Sequence, residues 1–140
     1  MPETRPGGNV TMKTVLMLDD SQVVRAMVTR HLKRYACRVV EATTTQEGIE
    51  AARQHAPDLI LLDASLAGVD GQDALAGLRE EPRCTSVPVI VLVAADDTEV
   101  ARRIAAAGVT CRLIKPFGKA TFDATVGDVL GTPARSEARR

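Results

Sequence analysis

Three stretches of this chain, TVLML from Thr14, DLILL from Asp58 and VPVIVLV from Val87, are strand-length and almost wholly apolar. They lack the in-out alternation of a sheet with one wet face, so they predict strands buried on both faces of a parallel sheet. Two further runs, RVVEA from Arg38 and CRLI from Cys111, complete a set of five. Helical spacing falls between them. Val24, Met27, Val28 and Leu32 share one helix face, and Thr44 with Glu47 forms a capping-box pattern at a second helix start. Leu75 and Leu78 mark a third helix, Val100 and Ile104 a fourth that Gly108 is placed to stop, and Phe122, Val126 and Leu130 a fifth before Gly131. Strands alternating with helices predict an α/β fold, a doubly wound five-stranded parallel sheet with helices on both faces. Right-handed crossovers leave few strand orders, of which the flavodoxin-like 2-1-3-4-5 places strands one and three side by side at the topological switch point.

Composition narrows what such a fold does. At 140 residues and 45% apolar content the chain supports one domain with a real core, built from aliphatic side chains because aromatics make up only 2%. Residues 13–131 are the expected folded unit, and the polar, Pro- or Gly-bearing segments 1–12 and 132–140 are expected to be flexible tails. Basic and acidic residues balance at 18 each, which gives no electrostatic case for nucleic acid or an anionic membrane as direct partner. Cys37, Cys84 and Cys111 are an odd number without Cys-x-x-Cys spacing and read as reduced thiols. The first ten residues lack the apolar core of a signal peptide, and the longest apolar run is too short to span a bilayer. A cytoplasmic protein is the resulting expectation.

The polar residues at the strand ends carry the chemistry. Asp19 and Asp20 end strand one, Asp63 ends strand three, and Lys115 ends strand five. If strands one and three are neighbours, three carboxylates meet at one sheet edge, where mutual repulsion raises at least one pKa unless a counter-charge is present. A hard cation such as Mg²⁺ suits that set, and a metal beside a carboxylate and an ammonium stabilises charge on a transferring phosphoryl group. Simpler readings exist for each residue alone. Asp20 or Ser21 could be only a helix N-cap, Asp63 a loop acid and Lys115 a solvated lysine.

Taken together, LDDS after the first strand, LLDASLAGVDG around the end of the third, PVIVLVA in the fourth and KPF after the fifth resemble the receiver domain of two-component response regulators. The resemblance covers about residues 13 to 131. It implies that Asp63 is the phosphoacceptor, taking a phosphoryl group from a phosphohistidine or a small donor. It implies that Asp19, Asp20, Asp63 and the backbone carbonyl of Ser65 hold Mg²⁺, that Lys115 and the backbone N–H of Ala94 meet the phosphoryl oxygens, and that the Lys115–Pro116 peptide is cis. A sensor histidine kinase or phosphotransfer protein would supply the phosphoryl group. A downstream protein would bind the face made by the fourth helix, fifth strand and fifth helix, where Arg102, Arg103, Arg112 and Lys119 could form a basic cluster. On this reading the chain is no enzyme beyond catalysing its own phosphorylation and dephosphorylation, and it stands alone or belongs to a longer regulator.

Two positions depart from the family pattern. Val93 stands where Ser or Thr is usual, and Arg112 where Tyr or Phe is usual. Leu66 and Ala67 replace the common Met and Pro, a milder change. An atypical switch follows, and a phosphorylation-independent adaptor is the alternative reading. A phosphohydrolase of the haloacid-dehalogenase type needs Asp-x-Asp after one strand, which Asp63-Ala64-Ser65 does not provide. FGKAT fails as a phosphate loop because Leu113 and Ala120 occupy positions that require Gly and Ser or Thr. No Gly-x-Gly-x-x-Gly follows the first strand, which argues against dinucleotide binding. His31 and His55 are expected to be solvated surface residues.

Overall fold

A computed structural model describes residues 12–64, 72–95 and 111–131. The strands are β1 (Lys13–Leu18), β2 (Cys37–Ala42), β3 (Leu59–Asp63), β4 (Val89–Ala94) and β5 (Cys111–Lys115). The helices among the described residues are α1 (Gln22–Leu32), α2 (Thr45–His55), α3 (Gln72–Glu80) and α4 (Lys119–Leu130). All strand pairs are parallel, in the order β2-β1-β3-β4-β5. The helix expected around Val100 and Ile104, residues 1–11 and residues 132–140 lie outside the described residues.

The apolar strands divide their side chains between two cores, as the two-residue period of a strand requires. Leu16, Leu18, Ile60, Leu62, Val89, Val91 and Val93 face one way, onto Ala52 of α2 and Ala74, Leu75 and Leu78 of α3. Val15, Met17, Leu59, Leu61, Ile90, Leu92 and Leu113 face the other, onto Val28 and Leu32 of α1 and Phe122 and Val126 of α4. Each such side chain, withdrawn from water, stabilises the fold by about 1.5–3 kcal/mol before entropy is counted. Apart from Thr14 and the residues at the strand ends, β1, β3 and β4 carry no polar side chain within the sheet.

Local signals act as read. Ser21, not Asp20, caps α1, its hydroxyl accepting from the Val24 N–H at 3.2 Å. Asp20 is thereby released from a capping role. Thr44 caps α2 by accepting from the Glu47 N–H, while the Glu47 carboxylate accepts in return from the N–H of Thr43 at 2.9 Å. Gly131, at φ 82°, ends α4.

His31 corrects the expectation of a solvated residue. Its ring stacks on Phe122 at 5.0 Å between centroids and approaches Phe117 at 6.5 Å, with Phe117 and Phe122 stacked in turn at 6.0 Å. Beside it, the nearly buried Arg34 donates through both terminal nitrogens to Asp123, and the Tyr35 hydroxyl donates to the same carboxylate at 2.6 Å. These hydrogen bonds, Arg34's first, hold Asp123 below the usual carboxylate range. They tie the end of α1 to α4.

Removing Asp123 takes the carboxylate away from a guanidinium that is 10% exposed. Breaking a fully buried pair costs about 3–5 kcal/mol, and the partial exposure of Asp123 reduces this, so Asp123→Ala is expected to destabilise by about 2 kcal/mol in urea unfolding. Arg34→Met in the Asp123→Ala background is expected to recover most of that loss.

Candidate functional site

The parallel register brings the acids together. Leu18 of β1 lies opposite Leu62 of β3, so Asp19 and Asp63, the next residues, leave adjacent strands at the same edge. Asp63 lies opposite Leu92 of β4, and Ala94 of β4 lies opposite Lys115 of β5. From there Lys115 reaches across the end of β4, its Nζ 3.1 Å from Asp63 Oδ1. The Lys115–Pro116 peptide is cis, as the family resemblance implied.

Asp19 is fully buried and Asp63 is 3% exposed, whereas Asp20 is open to solvent. Each contributes a carboxylate oxygen within 4.8 Å of the others. The backbone shapes this cluster. The Ser21 N–H donates to Asp19 Oδ1 at 2.8 Å, and Arg25 of α1 donates to the Asp19 carbonyl at 2.8 Å while pairing with Glu41 at 2.9 Å. Arg25 carried no signal in the sequence that separated it from other helix cations; only the approach of α1 to the end of β2 reveals it.

Asp19 Oδ2 is buried and has no hydrogen-bond partner among the described residues. A buried carboxylate oxygen without a donor is costly, so this atom indicates a cation-binding role. Three convergent oxygen donors are the chemistry that Mg²⁺ takes, with water completing its shell. The residues present therefore fit such an ion. Ser65, expected to add a backbone carbonyl, lies outside the described residues. Val93 is buried in the core, and Arg112 is exposed.

The response regulator receiver domain family matches residues 15–126. The chain belongs to this family. The receiver domain is 40% identical over 109 residues to the KDP operon transcriptional regulatory protein KdpE of Escherichia coli, covering 76% of this chain and 46% of that protein. It is 28% identical over 119 residues to protein PilH of Pseudomonas aeruginosa, covering 85% of this chain and 98% of PilH. The chain thus spans about half the length of several curated relatives and nearly all of PilH. Among solved structures, chemotaxis response regulator CheY4 of Vibrio cholerae superposes with a TM-score of 0.77 at 28% identity, over 86% of this chain and all of CheY4. Receiver domains as a family are signalling domains that bind Mg²⁺ at an acidic pocket. Among the described residues of this one, no helix is long and apolar enough to cross a membrane.

Burial raises the Asp19 pKa from 3.8 to about 6, with the Ser21 hydrogen bond and Lys115 opposing the rise and the charges of Asp63 and Asp20 adding to it. The folded chain then holds the Asp19 proton at a pH where the unfolded chain has lost it. Without divalent cation, stability is therefore expected to fall as pH rises through this window and to level off above it. The slope reaches about 1.4 kcal/mol per pH unit at most. Urea unfolding in chelator is expected to show this slope in the wild type and to lose it in Asp19→Asn. Saturating Mg²⁺ is expected to abolish it as well.

Proposed function

We propose that this receiver domain is a phosphoacceptor of a two-component phosphorelay, with Asp63 as the residue that takes the phosphoryl group. The observation that carries the reading is Asp63 itself, sequestered at the carboxyl end of β3 with the Lys115 ammonium 3.1 Å from its Oδ1 and two more carboxylates beside it. In the proposed reaction an Asp63 oxygen forms a bond to phosphorus while the bond from phosphorus to the donor's leaving group breaks. From a phosphohistidine the leaving group is imidazole; from acetyl phosphate it is acetate. Lys115 neutralises charge on the transferring oxygens. The backbone N–H of Ala94, opposite Lys115 in the sheet register, is the proposed second contact. Asp19, Asp20, Asp63 and the Ser65 carbonyl are the proposed Mg²⁺ ligands. When bound, the ion supplies positive charge against both the carboxylates and the phosphoryl oxygens.

The same reading proposes a sensor histidine kinase or phosphotransfer protein as donor, a cytoplasmic location, and no enzymatic role beyond turnover of the chain's own phosphoaspartate. Output passes to a downstream protein at the face bearing β5 and α4, where Ile114 is 45% exposed beside exposed Arg112. The test is incubation with acetyl phosphate and Mg²⁺ followed by intact mass measurement. One added phosphoryl group is expected in the wild type and none in Asp63→Asn. Labelling in Asp63→Asn equal to the wild type would sink the assignment.

Val93 and Arg112 favour a second proposal, that phosphorylation and output are weakly coupled. Val93 fills the place of a Thr without a hydroxyl to donate. A hydrogen bond to a charged group contributes about 1.5–3 kcal/mol, so its absence from the phosphorylated state alone weakens the bias toward an active conformation by roughly 10- to 150-fold. An unpaired guanidinium at Arg112 does not enter an apolar slot at tolerable cost. The limit of this reading is a phosphorylation-independent adaptor. NMR spectra with and without beryllofluoride, a phosphoryl mimic, are expected to change around Asp63 and little along β5. In Val93→Thr the changes are expected to spread toward β5; shifts along β5 in the wild type as large as those around Asp63 would overturn the proposal.

A further inference from the structure

Both phenylalanines and the tyrosine of the chain lie in one corner, where α1, the segment after β5 and α4 meet. His31 sits within it. Its ring lies on Phe122 with an interplanar angle of 30° and beside Phe117 at 44°, both at separations where aromatic pairs attract. Phe117 is two residues from Lys115, with Pro116 between them, so little backbone freedom separates the ring from the ammonium that meets Asp63. The position of Phe117 thus constrains where Lys115 starts, and His31 is one wall of the site Phe117 occupies.

Histidine is the wall residue whose charge changes near neutral pH. The groups around it set the sign. From α1 and the turn after it, Arg30 and Arg34 oppose a charged imidazole; from α4, Lys119 opposes it and Asp123 favours it. Residues 116–118 bring no charged side chain. Burial adds the largest opposition, and the His31 pKa lies below its ordinary 6.5. Acidification therefore puts a proton where the corner disfavours it, and the free energy of the stack is lost as pH falls through that lowered pKa.

We propose that His31 is a proton-dependent positioning residue for Lys115: the neutral ring holds Phe117 and, through it, the segment that aims the ammonium at Asp63, and protonation loosens that hold. The relevance to phosphoryl transfer rests on the function proposed above, whereas the coupling of His31 to Phe117 does not.

NMR titration of the full chain with saturating Mg²⁺ separates the two. Across about pH 5 to 8, bracketing the ordinary histidine pKa, the Phe117 ring and the Lys115 amide are expected to shift with one midpoint. That midpoint should equal the midpoint of the His31 imidazole. In His31→Phe, which keeps an aromatic wall without a titrating group, the transition is expected to vanish. Phosphorylation by acetyl phosphate, compared above and below the His31 midpoint found in that titration, is expected to slow at least twofold more in the wild type than in His31→Phe. A Phe117 midpoint different from that of His31, or its persistence in His31→Phe, would overturn the proposal, as would equal pH–rate profiles in the two proteins. The wild-type titration alone decides the coupling if the variant does not fold. Absence of phosphorylation in both proteins at every pH would remove the function of Asp63 and leave the NMR result to judge His31.

Discussion

The charge cluster at the carboxyl edge of the sheet is possible because the sheet is sealed on both faces. Along the middle of β1, β3 and β4 the apolar side chains enter one of two aliphatic cores, so a charged residue among them would be desolvated without a partner. Only at the strand ends can carboxylates emerge, and parallel pairing sends the ends of β1 and β3 to the same edge. Repulsion among Asp19, Asp20 and Asp63 is then offset in part by the Lys115 ammonium and by the Ser21 N–H. What remains among the described residues is a buried Asp19 oxygen with no hydrogen-bond partner, which fits the divalent cation proposed for the site.

The same corner of the molecule is braced in a way unrelated to acidic chemistry. Arg34 and Tyr35 converge on Asp123, while His31, Phe117 and Phe122 stack beside them. In a chain with 2% aromatic residues, gathering them at the junction of α1, α4 and the segment after β5 gives that junction aromatic pairing that the aliphatic core does not supply. The junction bears the backbone from which Lys115 starts. Acid pocket and aromatic corner are thus two ends of one short path.

Val93 and Arg112 are the residues on which the proposed weak coupling of Asp63 to output rests. Val93 is buried and serves the core between β4 and the α2–α3 layer, where a methyl group packs as well as a hydroxyl and leaves no polar atom to satisfy. Arg112 is exposed on an edge strand. Both residues suit a stable fold whether or not the acid pocket is altered, which is the physical basis for the proposal that phosphoryl acceptance and output are weakly coupled.

Strand order and the acid set were legible in the sequence because both follow from rules that act locally: unbroken apolar runs mean buried parallel strands, and crossover handedness limits their order. Asp19, Asp20, Asp63 and Lys115 could be picked out because each falls at the carboxyl end of a strand-like run. The choice of Ser21 over Asp20 as helix cap needed coordinates, since both residues are competent acceptors and only backbone direction selects one. Arg25, His31 and the Arg34–Tyr35–Asp123 cluster were not legible at all. Their partners lie on other elements, 89 residues away for Arg34 and Asp123, and helical spacing alone does not say which neighbour a polar face will meet. The sequence by itself determined the layers and the chemistry at the sheet edge, because periodicity and strand ends are properties of short segments. Tertiary structure alone decided which polar side chains are buried, paired or stacked, because those states depend on elements that the chain brings together only on folding.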